Sequence, residues 1–235
     1  DCFIVRQLLL AEYRDEAAFL TEILHMLRRF KGILSFNGKT YDLPLLRTRC
    51  VLNKLGEDYT NMEHIDLLHH ARRLWKKSIR ECHLANVEKR ILRFARQDDL
   101  PGSEAPKRFF EFQRSGDVEL LLPVFKHNAI DLLSLVSIAI HSTAQFSSDM
   151  RSVAELDKKR LYRLLVTHGD EQRAAQLIHS ALEKNEPDVL LEYAAMHKKK
   201  GDVREAVRVW EYLSTCKKFI EVAYLELAKY YEHIQ

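Results

Sequence analysis

The sequence has 235 residues, of which 46% are hydrophobic and 30% charged, a balance typical of soluble globular proteins. A formal net charge of +3 excludes a strong overall basic field, and 7 glycines and 5 prolines are too few for a disordered chain. We predict no membrane-spanning run, no signal peptide and no membrane partner. The scattered cysteines form no Cys-x-x-Cys pair and are expected to be buried free thiols in a reducing cytoplasm: Cys2, Cys50, Cys82 and Cys216.

Strand and helix signals alternate along the first 146 residues. In chain order we predict strand 2–10, helix 14–30, strand 32–36, helix 43–54, strand 61–65, helix 67–77 and further helices to 146. Such alternation favours an α/β sheet with helices packed on it. The apolar first strand begins at Asp1 without a methionine and needs neighbours on its edges. We therefore expect the chain to be the inner part of a longer protein, with proteolytic maturation as the alternative.

The stretch FNGKTYDLPLL, residues 36–46, follows one of these strands. Asn37-Gly38 predicts a tight turn, and Asp42 stands just before an apolar series with Pro44 in its first helical turn. Two interpretations of Asp42 remain open from these residues. It can cap the helix, or the turn can hold its carboxylate over a reaction site.

Asp66 ends the next strand and can cap the helix that follows. Histidines 64, 69 and 70 surround it, but their spacing fits no common zinc pattern. We therefore expect Asp66 and His64 to position the residues of a site rather than to bind a metal themselves.

A basic stripe follows in ARRLWKKSIR, residues 71–80. Steps of three and four residues place its charges along one side of a helix. Such a stripe can bind phosphates, although many basic helix faces are simply solvated. Its members are Arg72, Arg73, Lys76, Lys77 and Arg80.

The segment HNAIDLLSLVSIAIH, residues 127–141, predicts a helix that is apolar on almost every side and therefore largely buried. Asp131 lies inside it, and a buried carboxylate must meet a cation, strong donors or a metal. His127 and Asn128 lie one turn earlier on the same face. They can satisfy Asp131 themselves, or the three residues can belong to a metal site.

The segment HSTAQFSSDMRS, residues 141–152, predicts a boundary between a domain at 1–146 and a helical domain at 151–235. After helix 153–168, GDEQRAAQLIHSAL (169–182) aligns with GDVREAVRVWEYLS (201–214), with helix 188–200 between them and a last helix after them. These helix pairs resemble tetratricopeptide repeats, although the usual tryptophan and proline marks are absent. The resemblance implies a protein partner for this domain.

Four stretches in order, FNGKTYDLPLLRTR, HIDLLHHARRLWK, PGSEAP and HNAIDLLSL, resemble the ribonuclease-H-like predicted exonucleases of the bacterial YprB type. These belong to the wider DEDD 3′–5′ exonucleases, and the resemblance covers roughly residues 1–145. It implies an α/β ribonuclease-H-like fold and hydrolysis of nucleic acid with two Mg²⁺ or Mn²⁺ ions.

Within this resemblance, Asn37 and Tyr41-Asp42 match the second motif, and His127-x-x-x-Asp131 matches the last. It implies that Asp42 and Asp131 bind metal and that His127 orients or deprotonates the attacking water. We then expect the two carboxylates within about 10 Å of each other near the end of strand 32–36. The substrate-binding residues are expected to be Asn37, Tyr41, Asn128 and the stripe residues Arg72, Arg73, Lys76 and Lys77.

The first family motif, an Asp-x-Glu on an apolar strand, does not precede CFIVRQLLL. We therefore expect an incomplete ribonuclease-H-like domain that holds half of the carboxylates and is inactive alone. The alternative is a degenerate nuclease fold that acts as a scaffold through its helical repeats.

Overall fold

The computed structural model describes residues 3–56, 58–97, 99–147, 157–216 and 220–232. The chain divides into two compact units. The α/β unit consists of Asp1–Arg72 and Ile79–Thr143, and the helical unit of Arg73–Ser78 and Ala144–Gln235. Residues 141–147 of the polar segment 141–152 that predicted a boundary are helical, and residues 148–152 lie outside the described residues.

The described residues of the α/β unit form helices that alternate with two short strands, as the sequence predicts from residue 14 onward. Single 3₁₀ turns occur at Tyr13–Asp15, Asp58–Asn61, Gly102–Glu104 and Val118–Leu121, and a π-helical turn at Glu88–Leu92. The regular elements are α1 (Glu16–Leu27), β1 (Gly32–Ser35), α2 (Asp42–Leu52), β2 (Glu63–Asp66), α3 (Leu67–Trp75), α4 (Leu84–Val87), α5 (Ala105–Ser115) and α6 (Leu122–Ser147).

β1 and β2 form a parallel pair in which Ile33 lies opposite His64 and Ser35 lies opposite Asp66. Their connection runs through α2, as parallel strands require a crossover. A small apolar core formed by Leu20, Leu24, Cys50 and Tyr59 links α1, α2 and the turn before β2. Because parallel strands end at the same edge of a sheet, the segments after Ser35 and Asp66 meet there.

The predicted first strand is wrong for the residues that the structure describes. Residues 3–10 belong to no strand, and Ile4 is 70% exposed. Gln7 Nε2 instead donates hydrogen bonds to the Phe125 carbonyl and to Asn128 Oδ1, both at 2.9 Å. Apolar β-branched residues favour a strand only where a neighbouring strand accepts and donates the backbone hydrogen bonds. Here the Gln7 side chain bonds to α6 instead and holds this segment in place.

The prediction of a largely buried helix at 127–141 is also wrong. Among its described residues only Ser134 and Ile138 are buried, whereas Leu133 is 49% and Ile140 64% exposed. An apolar groove of about 700 Å³ separates part of α6 from residues 3–6 and from Leu34 of β1. Apolar residues on every side of a helix are buried only where neighbours cover every side.

The same helix corrects the expectation that no segment is long and apolar enough to span a membrane. Val118–Ala144 passes that test by length and composition. Reading for an uninterrupted apolar run missed it because polar residues such as Lys126 and Asp131 interrupt the segment. Asp131 is paired with Arg96 at 2.5 Å, which ties the middle of this helix to the α/β unit.

The helical unit contains α7 (Lys158–Thr167), α8 (Glu171–Glu183), α9 (Pro187–Lys199), α10 (Val203–Ser214) and α11 (Ile220–Glu232). The repeated Gly-Asp has one structural explanation at both places. Gly169 and Gly201 have positive φ angles of 73° and 88°, which end a helix. Asp170 and Asp202 then cap the next helix by accepting the backbone N–H of Arg173 and Glu205. The tetratricopeptide identity of these repeats stays a prediction.

The C-terminal end of α3 belongs to the helical unit. Leu74 and Trp75 are fully buried, and the Leu74 carbonyl accepts the Asp157 backbone N–H at 2.6 Å. The helix ends at Trp75, where the Ser78 N–H closes a turn onto the Trp75 carbonyl, so the prediction of a helix through residue 80 is wrong. Lys76, Lys77 and Arg80 therefore do not share a helical face with Arg72 and Arg73.

Candidate active site

The turn after β1 has the conformation that Asn37-Gly38 predicts. Asn37 has a φ of 69°, in the left-handed region that asparagine tolerates better than other side chains. Its carbonyl accepts the N–H of Thr40 and of Tyr41, and the Gly38 carbonyl accepts the N–H of Leu43. The chain thus passes directly from the carboxyl end of β1 into α2.

Asp66 holds this turn in place from the neighbouring strand. Its carboxylate accepts the backbone N–H groups of Asn37 at 2.8 Å and of Lys39 and Leu68 at 3.0 Å. The bond from Leu68 is the helix-start contact predicted for a residue before α3. Burial by itself raises the pKa of Asp66, but the three backbone donors outweigh it and lower the pKa below its usual value. Asp66 is therefore a charged anchor for the Asn37 turn.

Asp66 should make the stability of the α/β unit depend on acid pH. Because its pKa is lower in the folded than in the unfolded chain, its contribution is fully present above the unfolded pKa of about 4. It is lost as the pH falls through the folded pKa. Asp66→Asn should lower stability by about 1–3 kcal/mol at neutral pH, because an amide cannot accept three backbone donors as a carboxylate does. Urea unfolding between pH 2 and 7 should show a weaker pH dependence for the variant, and identical curves would contradict this role.

Ser35 and His64 lie beneath the same turn. Ser35 Oγ and His64 Nε2 are hydrogen-bonded at 2.7 Å. Burial and the nearby Lys39 lower the pKa of His64, against a smaller raising effect of Asp66, so the imidazole is neutral at pH 7. Gly38 packs against Ser35: an added Cβ would lie 2.5 Å from Ser35 Oγ and 3.3 Å from Asp42 Oδ2.

Gly38→Ala should therefore destabilise the α/β unit by about 1–3 kcal/mol, because Ser35 must move and lose its bond to His64. Gly102→Ala is the matched control, since nothing lies within 4 Å of a Cβ at that position. Its effect should stay within about 0.5 kcal/mol. The two free energies of unfolding can be compared by urea denaturation. Equal free energies of unfolding for the two variants would show that the turn accommodates the added methyl group without loss of stability.

Asp42 is the first residue of α2, and Tyr41 precedes it at the N-cap position without a side-chain cap bond. The interpretation of Asp42 as the capping residue is therefore wrong. The Asp42 side chain is exposed, and it makes no hydrogen bond or ion pair with the part of the chain that the structure describes. Asp42 thus presents a carboxylate without a partner among the described residues, at the carboxyl edge of the parallel strands.

Asp131 lies in a different environment. Arg96 Nη2 donates to Asp131 Oδ1 at 2.5 Å, and the same guanidinium binds Glu88 through Nε at 2.7 Å and Asp99 through Nη1 at 3.1 Å. Asp131 thus meets a cation, one of the three predicted possibilities. Burial lowers the pKa of Arg96, but the bonds to Glu88 and Asp131 outweigh it and raise the pKa above its usual value. Arg96 is charged at every working pH.

His127 and Asn128 do not satisfy Asp131 as the alternative interpretation proposed. His127 Nδ1 is bonded to Asp99 Oδ1 at 2.7 Å, and its Nε2 lies 3.6 Å from Asp131 Oδ2, too far for a hydrogen bond. Asn128 Oδ1 accepts from Gln7. Sequence reasoning missed Arg96, Glu88 and Asp99, because they lie on an irregular π-turn and loop that show no periodic pattern.

The fit to divalent metal ions differs between the two carboxylates. Asp42 fits, because its oxygens are exposed and oxygen ligands suit Mg²⁺ and Mn²⁺. Asp131 does not fit as it stands, because Arg96 occupies one of its oxygens. Within the described residues, no three His, Cys, Asp or Glu side chains are grouped so that they could hold a metal ion. The approach of Asp42 to Asp131 within about 10 Å stays a prediction.

The basic stripe is divided by its surroundings. Lys77 Nζ forms an ion pair with Asp188 at 2.9 Å inside the helical unit, and this bond raises the pKa of Lys77. Its charge is therefore partly neutralised. The side chains of Arg73 and Lys76 are exposed, so a phosphate contact by these two stays a prediction.

The parallel strands joined through a helix, the turn at their carboxyl edge and the exposed Asp42 define an α/β domain that presents a carboxylate at the ends of its strands. The chain matches the RNase_H superfamily over residues 1–143 and belongs to that family. Its predicted fold, a ribonuclease-H-like domain followed by a helical segment, is thereby confirmed. The resemblance to the YprB type is confirmed by the relative described next.

Among curated proteins, the chain is 34% identical over 248 residues to the uncharacterized protein YprB of Bacillus subtilis (strain 168). The alignment covers 99% of this chain and 58% of the relative. The chain therefore spans less than two thirds of the length of this relative. No solved structure matches the chain.

Proposed function

We propose that this chain is the nuclease-like part of a metal-dependent 3′–5′ exonuclease that hydrolyses phosphodiester bonds in nucleic acid. The observation that carries the proposal is the exposed Asp42 carboxylate, without a protein partner among the described residues, at the carboxyl edge of β1 in a member of the RNase_H superfamily. A carboxylate held there by a fixed turn is available to a cation.

In this proposal each residue of the site has a separate role. Asp42 supplies an oxygen ligand for Mg²⁺ or Mn²⁺, and Asp66 fixes the turn that aims it. Divalent ions held by these residues would supply an activated water and would stabilise the leaving oxygen. The family assignment makes Asp131 the second ligand and His127 the group that orients the attacking water, although Arg96 holds one Asp131 oxygen in this structure.

Nucleic acid is the proposed substrate, bound near its end. Asn37 and the exposed Tyr41 lie beside Asp42 in the same turn, where they can contact a sugar or a base. Arg72, Arg73 and Lys76 are the proposed phosphate contacts from α3 and the residue after it. Lys77 and Asn128 contribute less, because Asp188 and Gln7 are their partners.

The test compares cleavage of end-labelled single-stranded DNA and RNA by the 235-residue chain and by a protein of the full length of the relative. We expect Mg²⁺- or Mn²⁺-dependent cleavage by the longer protein and none by the chain alone, because two carboxylates cannot position two ions across a scissile phosphate. Asp131→Asn should abolish cleavage by the longer protein. Chelator-resistant cleavage by the chain alone would contradict the mechanism.

A second candidate is a degenerate nuclease fold that acts as a scaffold through its helical repeats. The ion pair between Arg96 and Asp131 favours it, because a structural counter-ion stands where catalysis needs a free ligand. An Asp-x-Glu in an apolar strand upstream in the longer protein supports the nuclease, and its absence supports the scaffold.

A further inference from the structure

Helix α5 carries an aromatic ring on its solvent-facing side. Its opposite side packs on the α/β unit, where the Arg108 guanidinium donates to the Leu120 carbonyl at 3.5 Å. Phe109 and Phe112 are half-buried, whereas Phe110 is 53% exposed. The Phe110 ring contacts Phe109 edge to face, with ring centroids 6.0 Å apart. Phe110 is thus held by a neighbouring ring and still offers an aromatic surface to solvent.

Two cations flank Phe110 on the same side of the helix. Lys107 lies three residues before it and Arg114 four residues after it, the spacing that brings helical residues to one face. Both side chains are exposed, and neither forms an ion pair with the part of the chain that the structure describes. Glu104 is paired elsewhere, and Glu111 is half-buried without an ion pair to either cation. We call Lys107, Phe110 and Arg114 the α5 face.

The spacing of the α5 face fits a nucleic-acid strand. Seven helical residues, at a rise of 1.5 Å each, separate Lys107 from Arg114 by about 10 Å along the axis. A stacked strand carries a phosphate about every 3.4 Å, so this distance spans about three nucleotides. Cations that follow the backbone and an aromatic ring on which a base stacks are the parts from which single-stranded sites are built.

Helix α5 is also joined to the helix that carries the last family motif. Gln113 Nε2 donates to the Ala11 carbonyl at 3.3 Å, and Gln7 of the same segment bonds to Asn128 of α6 at 2.9 Å. A strand bound on α5 is therefore held by the same compact unit as the candidate active site.

We propose that the α5 face binds a single-stranded segment of nucleic acid, with a base stacked on Phe110 and phosphates at Lys107 and Arg114. This inference rests on the proposed function for the class of ligand. A second copy of the chain fits this face poorly, because a two-fold interface would bring the same cations together. An acidic peptide would pair with the cations but would leave the ring without a planar partner.

The experiment is a titration of a labelled oligothymidylate of about 12 nucleotides with the 235-residue chain, followed by fluorescence anisotropy. EDTA is present so that cleavage does not contribute. Phe110→Ala should weaken binding roughly 5-fold to 150-fold, as expected for the loss of one base–aromatic stack, and Phe110→Trp should restore it. Tyr224→Ala is the matched control, because Tyr224 is a 56% exposed aromatic residue on α11.

The two cations are tested by the salt dependence of binding. Two phosphate contacts on a single strand contribute about 1.4 to the slope of log affinity against log salt. The slope should therefore be smaller by about that amount in Lys107→Gln/Arg114→Gln. Lys199→Gln/Lys200→Gln is the control, since it removes the same charge from exposed side chains of the helical unit and should keep the slope. Circular dichroism confirms that each variant is folded.

An abasic strand of the same length separates stacking from charge. A loss of affinity in Phe110→Ala for oligothymidylate, but not for the abasic strand, would support the inference. An equal loss for both strands, no loss for either, or no binding by the unchanged chain would overturn it. An unchanged salt slope in Lys107→Gln/Arg114→Gln would also overturn it, as would displacement of oligothymidylate by polyglutamate at equal charge concentration.

The same measurements keep this inference apart from the proposed function. Binding through the α5 face without cleavage by the longer protein would overturn the proposed function and leave the α5 site intact. Metal-dependent cleavage by the longer protein, with unchanged oligothymidylate affinity in Phe110→Ala, would overturn the α5 site alone.

Discussion

Replacement of Trp75 by alanine should lower the free energy of unfolding of the helical unit by about 3–5 kcal/mol. The Trp75 side chain is completely buried in that unit although it lies at the end of a helix that begins in the α/β unit. Deleting an indole from a closed site removes its buried apolar surface and leaves a cavity that the surrounding helices fill only in part.

Lys76→Ala is the matched control, because its exposed side chain lies in the same segment and contributes no core volume. Its effect should stay within about 0.5 kcal/mol. Hydrogen–deuterium exchange across residues 158–214 should show faster exchange in Trp75→Ala and unchanged exchange in Lys76→Ala. Equal protection in both variants would mean that the repeats fold without residues 73–78.

Asp42→Asn should reduce nucleic-acid cleavage by the longer protein by at least about 100-fold while leaving its stability unchanged. Loss of a carboxylate ligand weakens the hold on a metal ion that supplies several kcal/mol of transition-state stabilisation. Stability should not change, because the exposed Asp42 side chain makes no hydrogen bond or ion pair with the described residues.

Cleavage rates at saturating Mg²⁺, measured beside thermal unfolding, test both halves of this expectation. Glu22→Gln is the control, an exposed acid on α1 that carries the same change of charge elsewhere on the α/β unit. A variant with wild-type cleavage would remove Asp42 from the site. A variant with low cleavage and low stability would assign Asp42 a structural role instead.

Local sequence determined much of this protein. Asn37-Gly38 predicts its turn because few residues accept a φ of 69°, and each Gly-Asp pair of the repeats predicts a helix end followed by a capped helix start. These features depend on the conformation of a few adjacent residues. Their motifs, taken in order, also indicated the family that the comparisons confirm.

Only the tertiary structure determined which partners the charged side chains have and which apolar side chains are buried. The pattern around Asp131 required a partner but could not name Arg96, which comes from 35 residues earlier through an irregular turn. Likewise, the apolar surface of α6 predicted burial, and the apolar runs at residues 3–10 predicted a strand, but both depend on covering neighbours. Turns and helix caps are conformations of lowest energy for a few adjacent residues. Burial and ion pairing, by contrast, depend on side chains that come from distant parts of the sequence.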